Sequence, residues 1–391
     1  MNDGCFDKRN CITALLRFEK QPGSFIAGVT VALYLSRPEV GLPNRGALGV
    51  TCTEGDSEVK ELSMRTVFGV TIIFSLALMF AASVSLAADG PPAWAYAIPP
   101  APPAGTPAAT PPPPDTSLKH LPGSTLEFAR PQISDAFGPA DWYPGDHPKM
   151  PDVVAHGRKP DVRACSLCHY PNGKGRPENA GVAGLPVSYF LQTMADFRSG
   201  DRKSAEPRKA NTNVMIAIAK GMTEEEIKAA SEYFGSMKWS PWVKVVESST
   251  VPKTRIAGGM YLTLEGAEKE PLGQRIIETP VDAEGTEVLR NPRSGFTVYV
   301  PTGSIKKGET LVTSGAGKTT QCGLCHGADL KGLGPVPGIA GRSPSYLVRQ
   351  LYDMQQGARK GVWSELMKPV VAKLSDDDML AIAAYTASRT P

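Results

Sequence analysis

A chain of 391 residues is long enough for two or three domains. Charged residues make up 21% of it and the formal net charge is only +3, which argues against a nucleic-acid binder. The 36 prolines and 39 glycines are many for a compact helical protein, and the prolines are localised.

Residues 1–63 carry no clear periodicity and no motif. Met64-Arg65 then opens an uncharged apolar run from Thr66 to Ala88, with small residues at Ser85 and Ala87. This is the layout of a bacterial export signal. Such a signal normally stands at an N-terminus, so translation is expected to start at Met64, with 1–63 a mis-assigned upstream extension. The alternative is a cytosolic region ahead of a signal-anchor. Segment 64–87 is also long enough to span a bilayer, which takes about 20 residues, so a cleaved signal peptide and a retained membrane anchor both fit. Residues 66–88 would then be a membrane tether. Segment 88–150 reads as a Pro/Ala-rich linker and irregular extension. Its tract 91–114 favours extended polyproline II, with a reach of roughly 70 Å. Residues 115–150 are expected to wrap over a domain rather than form one.

Two pentapeptides follow, Cys165-Ser166-Leu167-Cys168-His169 and Cys322-Gly323-Leu324-Cys325-His326. Two cysteines three apart on a short helix can reach the two vinyl groups of one porphyrin, and the next histidine falls under the iron. Zinc also uses Cys-x-x-Cys pairs, but these motifs lie 157 residues apart, far beyond the spacing of a zinc ribbon. The four motif cysteines leave only Cys5, Cys11 and Cys52, all in the upstream extension. The expected cofactors are two covalently attached heme c groups, outside the cytoplasm, where c-type heme is attached.

The matching extends beyond the motifs, at the same offset. Lys174-Gly175 pairs with Lys331-Gly332, Gly181-Val182-Ala183-Gly184 with Gly338-Ile339-Ala340-Gly341, Ser188-Tyr189 with Ser345-Tyr346, and Asp196 with Asp353. This internal repeat sets one domain at 151–238, a second at 306–391, and an insert at 239–305. In each domain an amphipathic helix follows the glycine loop. A capped helix ends the domain, with Thr223 and Glu226 or Ser375 and Asp378 three apart. Tyr233 and Tyr385 occupy matching places in these last helices and are expected in the core.

The second axial ligand follows from the repeat. Of five histidines, His120, His147 and His156 all precede the first motif, so the second domain has none to spare. Thioether is the natural alternative. Met215 and Met367 are the methionines that match between domains, whereas Met194, Met222, Met354 and Met379 are unmatched.

These features resemble the diheme class I cytochromes c, with two tandem cytochrome c domains. The resemblance covers about 151–238 and 306–391. It implies a mainly α fold: two small helical domains, joined here by an irregular segment with a few short strands. It implies electron transfer as the activity, with His169 and Met215 on one iron and His326 and Met367 on the other. Cys165, Cys168, Cys322 and Cys325 would hold the porphyrins. Segment 239–305 departs from the family by its length, with β-prone stretches at 242–246 and 296–300. Ser314-Gly315-Ala316-Gly317-Lys318-Thr319 is similar to a phosphate-binding loop but has Val312 where the first glycine is required.

The expectation is thus a periplasmic electron carrier, not an enzyme, working between a dehydrogenase or oxidase and another redox protein, with no nucleic-acid partner. The alternative is a heme enzyme, a diheme peroxidase or sulfur-compound dehydrogenase, with one open iron and His156 as the distal group. From 158 to 220 there are 11 Lys/Arg against 5 Asp/Glu. That excess suggests an acidic partner docking on the first domain. For the start site, mass spectrometry of the native protein is expected to yield no peptide from residues 1–63; any such peptide overturns initiation at Met64.

Overall fold

The computed structural model describes residues 90–101, 103, 105, 113, 115–266 and 268–391. The upstream extension, the signal or anchor and most of the Pro/Ala tract lie outside the described residues. Among those described, no helix is long and apolar enough to cross a membrane.

The description begins with a single helical turn, α1 (Ala93–Tyr96), which is docked rather than extended. Ala95 and Tyr96 are buried in a cluster with Ile276, Val298, Leu380 and Ala383. The Ala95 carbonyl accepts from Arg349 at 2.5 Å. The expected tether therefore does not start at residue 91. Trp94 and Tyr96 interrupt the Pro/Ala composition, and burying aromatic surface outweighs the solvated polyproline alternative. Beyond the tract, β1 (Leu118–His120) pairs antiparallel with β2 (Glu127–Ala129), which runs into α2 (Arg130–Ile133). Leu121, Ile133, Trp142 and Tyr143 form a small cluster of their own. This stretch is bonded to the insert: Trp142 Nε1–H donates to the Leu289 carbonyl at 2.7 Å, and Arg293 pairs with Asp146 at 2.7 Å.

The first repeat contains α3 (Asp152–Ala155), α4 (Cys165–His169), α5 (Val187–Ser199), α6 (Ala210–Gly221) and α7 (Glu224–Gly235). Its core joins Val154, Met194, Phe197, Ile227, Ala230 and Phe234. The capping box at Thr223 forms as read: its hydroxyl accepts from the Glu226 amide, and the Glu226 carboxylate accepts from the Thr223 amide. Tyr233 is buried and donates to the Pro171 carbonyl at 2.7 Å.

The insert is more ordered than an irregular segment. Strand β3 (Val243–Glu247) lies parallel to β9 (Phe296–Val300), which pairs antiparallel with β8 (Ile277–Pro280). The two β-prone stretches are thus partners across about 50 residues of sequence. On β9, Phe296, Val298 and Val300 are buried while Thr297 and Tyr299 are half-buried, the period of two expected of a strand. Between them, β4 (Thr250–Pro252) pairs with β7 (Lys269–Pro271), and β5 (Thr254–Ala257) with β6 (Met260–Thr263). The β5–β6 hairpin turns at Gly258 and Gly259, both at positive φ, which suits a two-residue primed turn. A short helix, α8 (Ala283–Glu287), is capped by Asp282.

The second repeat opens with α9 (Ser304–Ser314), two residues before the boundary read from sequence, because the Glu247 carboxylate of the insert accepts the Ile305 amide at 2.9 Å. It continues through α10 (Gly323–His326), the ribbon β10 (Gly332–Leu333) with β11 (Val336–Pro337), α11 (Pro344–Gln355), α12 (Lys368–Val371) and α13 (Asp376–Ala387). Buried Glu278 of β8 accepts from the Ser345 amide at 2.8 Å and from the Ser343 and Ser345 hydroxyls, which pins the sheet to the start of α11. Helix α13 is covered on both sides. Ala381, Ile382 and Tyr385 face the heme-domain core, and Leu380, Ala383 and Ala384 face the sheet. Its first turn carries Asp376, Asp377 and Asp378 where the helix dipole favours them.

Helices α9 and α13 touch at Gly308, where a methyl group would run into the Ala381 carbonyl oxygen and stand 2.7 Å from Tyr385 Cβ. Gly308→Ala is expected to destabilise the fold by about 2–3 kcal/mol through overpacking, read as a lower urea midpoint.

Candidate heme centre

Each motif helix is one turn long, so its two cysteines and its histidine fall together. None of the four motif cysteines is in a disulfide, so all four sulfurs are available to bond a porphyrin. His169 Nδ1 lies 2.8 Å from the Ala180 carbonyl, and His326 Nδ1 lies 2.7 Å from the Pro337 carbonyl. A carbonyl only accepts, so Nδ1 carries the hydrogen and Nε2 keeps its lone pair. Burial lowers both imidazole pKa values, which keeps the rings neutral and fit to bind a metal.

Both histidines open on one continuous cavity of about 540 Å³. Met215, in the middle of α6, and Met367, between a 3-10 turn and α12, line it and are half-buried. Met194 and Met354 reach the same wall but are packed into the two cores, at 3% and 9% exposure. Met222 and Met379 are buried away from it. Of the five histidines only His169 and His326 line the cavity. His156, the candidate distal group, is exposed at the end of α3. Among the described residues no three His, Cys, Asp or Glu side chains converge on a metal position, so the ligand set of a structural zinc is not assembled. The loop at 314–319 is engaged elsewhere: Lys318 pairs with Asp378 at 2.7 Å and Thr319 donates to the Val370 carbonyl.

The donor set fits a heme. Neutral imidazoles and thioethers face an apolar wall, and buried cations supply counter-charge for carboxylates. Lys209 is 5% exposed and has no carboxylate partner among the described residues; burial, with Arg349 nearby, brings its pKa down to about 7. Arg342 and Arg349, equally buried, also line the cavity.

Sequence reasoning missed the contacts that join the two halves. Tyr189 accepts from Arg359 at 2.8 Å, and Tyr346 accepts from Arg202 at 3.0 Å. The backbones of Arg202 and Arg359 bridge antiparallel, and the Gln350 amide oxygen accepts from both guanidinium groups. Burial raises the Tyr189 pKa, but Arg359 and Arg202 outweigh it and bring the phenol down to about 8. The signal was available in the repeat: Arg202 and Arg359 share the 157-residue offset of the two tyrosines.

No protein-family model matches the chain. A cytochrome c4 of Azotobacter vinelandii is 33% identical over 229 residues, spanning 56% of this chain and 82% of that protein. The chain belongs to the diheme class I cytochromes c. A thiosulfate dehydrogenase electron acceptor from Stutzerimonas stutzeri (strain A1501) is 26% identical over 236 residues, 59% of this cytochrome and 82% of that one. The crystal structure of a reduced recombinant cytochrome c4 from Pseudomonas stutzeri aligns at 20% identity with a TM-score of 0.38, over 57% of this chain and 93% of that one. The cytochrome carries two covalently attached heme c groups and is an electron carrier; the enzyme alternative is not favoured.

Beside the first site the N-terminal extension adds a titratable group. His147 Nδ1 lies 3.1 Å from the Tyr233 hydroxyl, and Nε2 lies 3.2 Å from Asp141. Burial lowers its pKa, but the Asp141 carboxylate and the Pro148 carbonyl raise it further, and the net shift is upward. A raised folded pKa gives stability that is full below the unfolded value of 6.5 and lost as pH rises through the folded one. Urea stability should therefore fall between about pH 6 and pH 8, and Asp141→Asn should flatten that fall by up to about 1 kcal/mol.

Proposed function

We propose that this cytochrome passes single electrons, in the periplasm, between a dehydrogenase or oxidase and a further redox protein. In this reading His169 and Met215 ligate one iron, and His326 and Met367 the other. The heme supplies a reversible one-electron ferric–ferrous couple. The chain supplies the rest. Carbonyls at Ala180 and Pro337 orient the imidazoles, and the apolar walls exclude water. The thioethers favour the ferrous state and so raise the potential.

The observation that carries the reading is the repeat in three dimensions. The cavity is lined by one neutral histidine from each repeat, held through Nδ1, and by one half-buried, sequence-matched methionine from each. With two ligands from the chain on each iron, no coordination position is left for substrate. Residues 64–87, read as an export signal or anchor, support the periplasmic assignment. A dehydrogenase as electron donor is supported by the relative named as the electron acceptor of thiosulfate dehydrogenase.

Met367→Ala should lower the potential of one heme and let reduced protein bind carbon monoxide at that iron. About half of the methionine-to-iron charge-transfer absorbance should disappear, one site of two. If Met367→Ala changes neither property while Met354→Ala changes both, the ligand assignment in the second domain is wrong, and the repeat argument for Met215 fails with it.

A further inference from the structure

We propose that the two sites are unequal: the insert seals the first, and the second is the port where an acidic redox protein docks. This deepens the carrier reading and rests on it.

Residues at the 157-residue offset make the comparison. Glu178 is 3% exposed, with the Gly259 turn of the β5–β6 hairpin pressed against its Cβ, whereas its counterpart Pro335 is exposed. Arg176 is half-buried in an ion pair with Glu178 at 2.5 Å, whereas its counterpart Leu333 is 59% exposed. Cys168 is half-buried and has half-buried Arg290 of the insert as a charged neighbour, whereas Cys325 is exposed. Two further insert contacts close the first edge: Asn172 donates to the Pro292 carbonyl at 2.7 Å, and Lys174 Nζ sits 5.0 Å from the centre of the Trp242 ring.

Among the described residues no such cover stands over the second motif. Leu324, Leu333, Val362 and Leu366 are 65%, 59%, 73% and 74% exposed, and Leu366 lines the cavity beside Cys325 and Pro335. One exposed leucine is ordinary; four aliphatic side chains around a cofactor opening make a contact surface.

Charge selects the partner. Exposed Lys331, Lys360 and Lys373 stand in the segments that frame this opening, with Asp329 as the nearby acid, while Lys318 and Lys368 are paired with Asp378 and Glu365. Part of the basic excess of the first domain is neutralised within it, while Lys159, Arg163, Lys203 and Lys220 stay exposed. Arg176, Arg198 and Arg208 are paired with Glu178, Glu224 and Glu206; Arg202 is bonded to Tyr346, and Lys209 is buried. The insert's cover over the first site, rather than charge, therefore singles out the second opening as the docking face. A partner with an apolar cofactor edge rimmed by carboxylates fits the second opening. One electron leaves its reduced metal for the ferric iron of the second site, and then crosses the wall that the two sites share.

The test uses the full heme-loaded chain and an acidic blue-copper protein. With cadmium in place of copper the probe cannot exchange electrons, so calorimetry reads binding alone. Leu324→Glu and Leu333→Glu should each weaken binding at least about tenfold, by placing a carboxylate in an apolar contact against like charge. Val281→Glu, equally exposed but on the insert, should stay within about twofold. With the reduced copper form, stopped-flow absorbance should show one phase that scales with probe concentration and one that does not. The inference is overturned if wild-type protein does not bind, if both leucine variants bind normally, if Val281→Glu weakens binding as much, or if both phases scale with the probe. Failure of the His/Met reading would appear separately, in the spectrum of Met367→Ala.

Discussion

Two crossed tyrosine–arginine hydrogen bonds hold the molecule in its working form. Tyr189 with Arg359 and Tyr346 with Arg202 tie each repeat to the other, and Gln350 takes a bond from both guanidinium groups. Both guanidinium groups are buried while the tyrosines and Gln350 are half-buried, so an arginine that lost its partner would be a costly unsatisfied group. The geometry has a chemical result. Because the same residues line the cavity, cofactors held by the two histidines would share one wall.

The two repeats have diverged around that axis. The second keeps a full opening helix, α9, laid across α13 at Gly308. The first has only the single turn α3, and the N-terminal extension and insert supply the missing cover. Glu278 and Glu247 then fasten the insert to the second repeat, the one at the start of α11 and the other at the start of α9. One added module thus stabilises one domain and shields the edge of the other.

What could be read from the chain alone follows from how local each signal is. The Cys-x-x-Cys-His motifs, the glycine loops and the two capping boxes are short-range, and each stands where it was expected. The matched methionines line the cavity with the histidines, but so do Met194 and Met354; pairing by repeat narrowed a choice that lining alone leaves open. The insert was harder. Its strands were visible as β-prone stretches, but the parallel pairing of β3 with β9 joins residues about 50 positions apart, and composition does not encode partners. Helix α1 was hidden by the proline and alanine around it. A charge count cannot distinguish Arg176, half-buried against Glu178, from a lysine in solvent.

The double cover of α13 bears on how this architecture could be taken apart. In a free-standing heme domain the last helix would show one apolar face to its own core and a polar face to water. Here Leu380, Ala383 and Ala384 turn outward onto the sheet and α1. The second domain is therefore not a portable module. Excised at the boundary that the repeat suggests, it would carry a greasy stripe along its C-terminal helix and self-associate, and a recombination that swapped it into another tandem cytochrome would have to bring the insert along.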